Sequence, residues 1–166
     1  MSTEDRQVQQ PQPDSREFGS QPFYTQQFYT MNGYRQKAPG GLTPAMEDYL
    51  EMICRLCITQ PTVRLHDLAA KLHVKPSSAS RMIGQLKKAG LIQAERYGHI
   101  SLTPSGRAAG DYLLYRHSVV LRFLARLNNC DNMDDMLEQT EKIEHFLSPE
   151  TVTNLARLLD TDRESK

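Results

Sequence analysis

Four features are scarce in this sequence of 166 residues. Its 20 basic and 20 acidic residues cancel, so net charge indicates no partner. No apolar run approaches the roughly 20 residues that cross a bilayer, and no signal-type apolar core follows Met1, so we expect a cytoplasmic protein without a membrane partner. Three cysteines, an odd number, argue against a disulfide framework. No separate nucleophile or phosphate-binding glycine loop is present, so no small organic substrate is expected.

Two of the cysteines form a CxxC motif, Cys54 to Cys57, inside a helical apolar pattern. Cys57 shares the 3.6-residue period of Met46, Leu50 and Ile53. This spacing predicts that Cys57 is a small core residue rather than part of a redox or zinc site.

The chain divides into three parts. Residues 1–41 are rich in Gln, Pro and Tyr and have almost no aliphatic side chains, which predicts a disordered tail. Residues 42–103 have the element order of a winged helix-turn-helix, and residues 104–166 read as helices throughout. The predicted fold class is therefore mainly α, with an N-terminal winged helix-turn-helix followed by an α-helical dimerisation domain.

Helix starts are predicted at pairs in which a hydroxyl side chain caps the first turn and proline follows. The pairs Thr43-Pro44, Thr103-Pro104 and Ser148-Pro149 begin the first, fourth and sixth helices. These helices are expected to end near residues 58, 127 and 159. The other helices are predicted at residues 65–72, 76–89 and 134–147, and two short strands at 91–96 and 99–102.

The third predicted helix, residues 76–89, is the candidate recognition helix that enters the major groove of DNA. Small hydroxyl side chains in its first turns allow a close approach, and Arg81 is long enough for a bidentate contact with guanine. Basic residues at its end and in the wing would reach phosphates. A helix-turn-helix that contacts only protein is the alternative. The predicted DNA contacts are Lys75, Ser77, Ser78, Ser80, Arg81, Lys87 and Arg96.

Six residues with metal-ligand side chains lie at helical spacings. An acidic pair three residues apart is on the first helix, a histidine is on the fourth, and a Glu-x-x-Glu-His run is on the fifth. Each group alone is more typical of a solvated face or a structural histidine. The run also resembles a zinc-peptidase signature, but a glutamate replaces its first histidine, so an enzyme is not expected. The six residues are Asp48, Glu51, His117, Glu141, Glu144 and His145.

Three segments carry a family resemblance: residues 43–51, the motif Pro76-Ser77-Ser78, and Tyr115-Arg116-His117 together with residues 141–148. In this order and spacing they resemble the diphtheria toxin repressor family, and more closely its manganese transport regulator branch. The resemblance covers roughly residues 43–160. It implies a metal-dependent DNA-binding repressor and implies that the six residues above are the metal ligands.

The resemblance also bears on the metal. In the iron-responsive branch, sulfur side chains stand at the positions of Asp48 and Glu141. Carboxylates at these positions favour Mn²⁺, a hard ion, with Fe²⁺ as the alternative. Four carboxylates match the charge of two divalent cations, which fits a binuclear site. The chain departs from the family pattern in the tail before Thr43 and at Phe146, where some manganese members have a second histidine.

The sequence therefore predicts a Mn²⁺-dependent transcriptional regulator, a repressor of manganese-uptake genes, that binds a palindromic operator in double-stranded DNA. Ligands from the first and fifth helices would clamp the DNA-binding module, whereas without metal the four carboxylates would repel one another. Three alternatives stay open: an Fe²⁺-responsive regulator of the same family, a winged-helix regulator without a metal switch, and a metal-binding scaffold protein.

A homodimer is expected because the fourth to sixth helices have more apolar residues than one short bundle easily hides. A two-fold symmetric dimer would match a palindromic operator. The apolar residues are Leu113, Leu114, Val119, Val120, Leu121, Phe123 and Leu124.

Overall fold

The computed structural model describes residues 41–95, 98–130 and 132–161. The predicted tail, residues 1–41, lies outside these ranges except for Gly41. The mainly helical class is confirmed, since the described residues contain six α-helices and three short strands. The helices are α1 (Pro44–Leu56), α2 (Leu65–Lys71), α3 (Pro76–Lys88), α4 (Pro104–Leu127), α5 (Leu137–Ile143) and α6 (Pro149–Thr161). The strands are β1 (Val63–Arg64), β2 (Ile92–Ala94) and β3 (His99–Leu102).

The three predicted hydroxyl caps are confirmed. The side-chain oxygen of Thr43 accepts from the Met46 amide at 3.3 Å, and that of Thr103 accepts from the Gly106 amide at 3.0 Å. The Ser148 hydroxyl accepts a backbone amide hydrogen bond at the start of α6 in the same way. Each cap satisfies an amide that has no partner within its helix, and so fixes where α1, α4 and α6 begin.

The sheet has the order β1-β3-β2, and both pairs are antiparallel. Strand β1 was not predicted, because two residues carry too little alternation to be recognised. Its Val63 is fully buried and pairs with Ile100 of β3. The sheet therefore anchors the wing to the segment that connects α1 and α2.

The larger core lies among α1, α2, α3, the sheet and the start of α4, with Leu50, Ile53 and Leu86 fully buried. Cys54 is also fully buried, whereas Cys57 packs against this core but stays partly exposed. The prediction of Cys57 as a core residue thus holds only in part, and its neighbour Cys54 is the more buried thiol.

A smaller core joins α4 to α6 through Val119, Val152 and Leu159. Four of the seven apolar residues of α4 that suggested a dimer are buried within the single chain, and the other three are partly buried. The apolar surface that stays exposed in the helical part of the chain is formed by other residues. Among the described residues from 104 to 161, the exposed large apolar side chains are Tyr115, Leu127, Met133, Leu137, Phe146 and Leu158.

The predicted fifth helix over residues 134–147 is wrong as one continuous helix. A 3₁₀ turn (Met133–Met136) precedes α5, and a second 3₁₀ turn (Glu144–Phe146) follows it. The first turn is capped by the Asn132 side chain. The second ends where Leu147 becomes extended, two residues before the proline that opens α6. Glu144 and His145 therefore lie on a tighter turn than the prediction assumed.

Helices α1 and α4 cross at very short range. A Cβ atom at Gly110 would lie 2.9 Å from the Cβ of Cys54, so only glycine permits this approach. Glu51 lies one turn from Cys54 on α1, and His117 lies two turns from Gly110 on α4. The crossing thus sets the separation of two predicted ligands. No helix in the described ranges is long and apolar enough to cross a membrane.

Candidate metal centre and DNA-facing helix

The six predicted ligands come together at the junction of α1, α4 and the segment from α5 to the second 3₁₀ turn. They form two groups of three, and within each group the potential ligand atoms lie within 4.8 Å of one another. We call Glu51, His117 and Glu144 the inner triad, and Asp48, Glu141 and His145 the outer triad. Each triad contains one residue from α1, two carboxylates and one imidazole.

The inner triad is buried. The side chains of Glu51 and His117 are each 8% exposed, and that of Glu144 is 0% exposed. The Nδ1 atom of His117 lies 3.1 Å from Glu144 Oε2 and 3.9 Å from Glu51 Oε1. The hydrogen bond to Glu144 raises the pKa of His117, against the opposing effect of burial.

The outer triad is more open. The side chains of Asp48 and Glu141 are 44% and 55% exposed, whereas that of His145 is 8% exposed. His145 Nε2 lies 2.9 Å from Asp48 Oδ1. Hydrogen bonds to Asp48 and Glu47 raise the pKa of His145 to about 10. Partial burial, together with the nearby Glu144 carboxylate, raises the pKa of Glu141.

The two triads are contiguous rather than separate. Glu141 Oε1 of the outer triad lies 3.5 Å from His117 Nδ1 of the inner one. The four carboxylates supply hard oxygen donors and the charge of two divalent cations, and neutral imidazoles complete the set. Glu144 also has a buried oxygen, Oε1, without a hydrogen-bond partner among the described residues. Because a buried carboxylate oxygen is costly without a partner, this atom fits a cation ligand.

Two basic groups that were not anticipated lie beside the carboxylates. The Nε atom of Arg55 donates to Glu51 Oε1 at 3.0 Å, one turn along α1. The side chain of Arg116, on α4 and only 4% exposed, donates through Nη2 to Glu47 Oε2 at 2.8 Å. The predicted repulsion among the metal-free carboxylates is therefore offset by arginine and by the two histidines.

Glu47 was not recognised either, although it precedes the predicted ligand Asp48. Its Oε2 atom contacts both Arg116 and the Nδ1 atom of His145. Burial opposes its ionisation, but hydrogen bonds with His145 and Arg116 outweigh burial and hold the pKa of Glu47 below its usual value. Glu47 and Arg116 each precede a predicted ligand and lie in segments that carry the family resemblance, but nothing in the sequence indicates that they pair.

The candidate recognition helix α3 has a buried and an exposed side. Ala79, Ile83 and Leu86 are buried against the core. The side chain of Lys87 is exposed and donates to the backbone oxygen of Ala94 in β2 at 3.1 Å. Arg96 lies outside the described residues. The other predicted DNA contacts are all exposed: Lys75, Ser77, Ser78, Ser80 and Arg81.

Two family models match consecutive parts of the chain. Residues 41–100 match the N-terminal DNA-binding domain of the iron-dependent repressors. Residues 103–165 match the metal-binding and dimerisation domain of the same family. The resemblance found in the motifs is thereby confirmed, and so is the prediction of a DNA-binding regulator rather than an enzyme.

Curated relatives and solved structures agree with this assignment. The chain is 34% identical over 124 residues to the HTH-type transcriptional regulator MntR of Geobacillus thermodenitrificans, a match that covers 75% of this chain and 86% of the relative. It is 36% identical over 123 residues to that of Bacillus pumilus, covering 74% and 84%.

Among solved structures, a manganese-dependent transcriptional repressor in complex with manganese matches with a TM-score of 0.62 and 28% identity. This match covers 69% of this chain and 52% of that one. The metal-dependent transcriptional regulator MtsR matches with a TM-score of 0.63 and 27% identity, covering 72% and 55%. The chain thus spans about half the length of these solved structures and most of the length of the curated relatives. It belongs to the iron-dependent repressor family of metal-dependent, DNA-binding transcriptional regulators.

Proposed function

We propose that this protein is a Mn²⁺-dependent transcriptional repressor of manganese-uptake genes. The observation that carries the proposal is the pair of contiguous triads, in which four carboxylates and two imidazoles converge from three elements. Oxygen and nitrogen donors suit Mn²⁺. The names of the curated relatives and of the manganese-bound repressor support the same ion.

The triads would act as a clamp. Asp48 and Glu51 lie on α1, which packs in the same core as the recognition helix α3. Their triad partners lie on α4 and in the segment from Glu141 to His145. A bound divalent ion would attract the carboxylates of α1 and those of the segment from Glu141 to His145 at the same time. It would thereby favour one orientation of the DNA-binding module, as any ligand-driven switch requires.

The domain organisation is proposed as predicted, with a tail (1–41), a DNA-binding domain (42–103) and a helical metal-binding and dimerisation domain (104–166). The bounds of the two family models support the division near residue 102. In a homodimer, the exposed apolar side chains Leu127, Leu137 and Leu158 would be available to the interface. Two recognition helices related by two-fold symmetry would read a palindromic operator in cytoplasmic DNA.

The test is a selection of bound sequences from a random DNA pool with the full chain, once with chelator and once with Mn²⁺. We expect a palindromic motif that is enriched only with Mn²⁺. The same motif in both samples would remove the metal switch and leave a winged-helix regulator. No motif in either sample would favour a metal-binding scaffold protein.

Fe²⁺ is the second candidate effector, because it accepts the same donors and the matching family models are those of iron-dependent repressors. The selected DNA should be titrated anaerobically with protein in Mn²⁺ and in Fe²⁺. Activation has to be compared rather than metal affinity, since ions later in the first-row series bind more tightly to most sites. Stronger activation by Fe²⁺ would overturn the choice of manganese.

A further inference from the structure

Glu47 is a carboxylate at this junction that belongs to neither triad, and its contacts indicate a specific role. Its Oε2 atom lies 2.8 Å from the Nδ1 atom of His145 and 2.8 Å from Nη2 of Arg116. Its side chain is 18% exposed, and that of Arg116 is 4% exposed. The carboxylate therefore has two close nitrogen partners in a mostly buried setting.

The geometry assigns a direction to the His145 ring. Arg116 Nη2 is always a donor and lies 3.1 Å from Nδ1 of His145, while both nitrogens contact the same carboxylate oxygen. Glu47 Oε2 can accept from both when Nδ1 carries a hydrogen. The opposite ring nitrogen, Nε2, then points at Asp48 Oδ1 at 2.9 Å, inside the outer triad.

We propose that Glu47 is a positioning residue for the metal centre: held by Arg116, it accepts the Nδ1 hydrogen of His145 and leaves Nε2 to face the metal. This inference rests on the proposed function, because it concerns the same site. A carboxylate behind a ligating histidine fixes the ring nitrogen that binds and the orientation of the ring. Glu47 would bind no metal itself, since its Oε2 atom already accepts from two donors.

The arrangement also distinguishes the two imidazoles. His117 turns Nδ1 toward the carboxylates of the inner triad, and burial among packed side chains holds it there. His145 lies on a three-residue 3₁₀ turn and presents Nε2 instead. The two side chains are equally buried, at 8% exposure each, but the Nδ1 atom of His145 contacts Glu47, a carboxylate outside both triads.

The first test reads the histidine directly, using full-length protein with ¹⁵N-labelled histidine. In the metal-free protein, the Nδ1 hydrogen of His145 should exchange slowly with solvent, and Glu47→Ala should abolish this protection. After addition of Cd²⁺, a diamagnetic probe, the wild-type Nε2 should show the shift of a metal-bound nitrogen while Nδ1 keeps its hydrogen. A metal-bound Nδ1 would overturn the proposal.

The second test measures Mn²⁺ affinity from the electron paramagnetic resonance signal of the free ion. Glu47→Ala should weaken binding about tenfold to hundredfold, the range of outer-shell partners of metal-ligating histidines. Glu47→Gln, which keeps an acceptor but loses the charge, should lie between wild type and Glu47→Ala. Glu138→Gln is the matched control, because Glu138 is exposed and pairs only with Lys142 among the described contacts.

Glu47→Ala leaves the buried Arg116 without its carboxylate partner, which can destabilise the fold. The double variant Glu47→Leu with Arg116→Met replaces the pair by apolar side chains and should fold, yet lose Mn²⁺ affinity to the same extent. Wild-type affinity in either folded variant would overturn the positioning role alone. A wild-type protein that takes up neither Mn²⁺ nor Cd²⁺ would overturn the proposed function together with it.

Discussion

The inner and outer triads have the same donors, two carboxylates and one imidazole each, but different surroundings. The inner triad is enclosed by the crossing of α1 and α4, so its carboxylates have little access to water. The outer triad exposes Asp48 and Glu141 to solvent and depends on Glu47 and Arg116 to hold its histidine. A buried charge without a counter-ion costs far more than a solvated one. We therefore expect the inner triad to bind metal more tightly than the outer triad and to tolerate fewer substitutions of its ligands.

The largest effect is expected from the inner triad. Glu144→Ala removes the most buried ligand and should abolish Mn²⁺-dependent DNA binding. Metal affinity should fall by more than about a hundredfold, the upper range for loss of an outer-shell partner. Fold and dimer should be retained. Mn²⁺ titration with fluorescence anisotropy on the selected DNA measures this, and unchanged activation would show that the inner triad is not the metal site.

A smaller effect is expected from the outer triad. Asp48→Ala removes a half-exposed ligand and should weaken Mn²⁺ binding about tenfold, since water can replace a solvated oxygen donor. At a Mn²⁺ concentration that just saturates the wild-type protein, the number of Mn²⁺ ions bound per chain should fall from two towards one, because only the inner triad keeps its affinity. Equilibrium dialysis with metal analysis gives this number. Complete loss of both ions would mean that the two triads bind as one unit.

The α1–α4 crossing offers a test that leaves every ligand in place. Gly110→Ala puts a methyl group 2.9 Å from the Cβ of Cys54 and should lower the free energy of unfolding by about 1–2 kcal/mol. Gly110→Ala should also weaken Mn²⁺ binding more at the inner triad than at the outer triad, because it would move Glu51 and His117 apart.

Gly84→Ala is the matched control for this substitution. Gly84 lies in α3 with open space around its Cβ position, so alanine there should raise the free energy of unfolding by up to about 1 kcal/mol. Urea denaturation with chelator present measures both variants. Equal stabilisation by the two alanines would contradict a tight crossing.

The smallest effect is expected at Arg55, which competes with metal for Glu51. Arg55→Gln frees this carboxylate and should tighten Mn²⁺ binding about twofold, because Arg55 is itself 41% exposed and a pair one helical turn apart contributes only about 0.3–0.5 kcal/mol when it is solvated. Lys142→Gln, which breaks a similar pair outside both triads, should leave the affinity unchanged. Weaker binding in Arg55→Gln would mean that Arg55 supports the site rather than competing with metal.

The sequence predicted those parts that depend on local chemistry. Thr103 and Pro104 marked the start of α4, whose predicted bounds match the structure, because a cap and a proline act over a single turn. All six predicted ligands lie in the two triads. The sequence could indicate them because the resemblance identifies residues by type and spacing.

What the sequence did not reveal depends on contacts between distant segments. The division of the ligands into two triads follows from the α1–α4 crossing and from the 3₁₀ turn at Glu144, neither of which has a local pattern. Glu47 and Arg116 are 69 residues apart in the chain, so their pairing could not be inferred from spacing. Strand β1 was too short to recognise.

The most direct measurement of the central claim is the affinity of one protein preparation for the selected DNA, first with chelator and then with saturating Mn²⁺. If the triads couple α1 to the segment from Glu141 to His145, Mn²⁺ should tighten DNA binding by about five- to 150-fold, the usual range for coupling between two sites. Equal affinity under the two conditions would contradict the account.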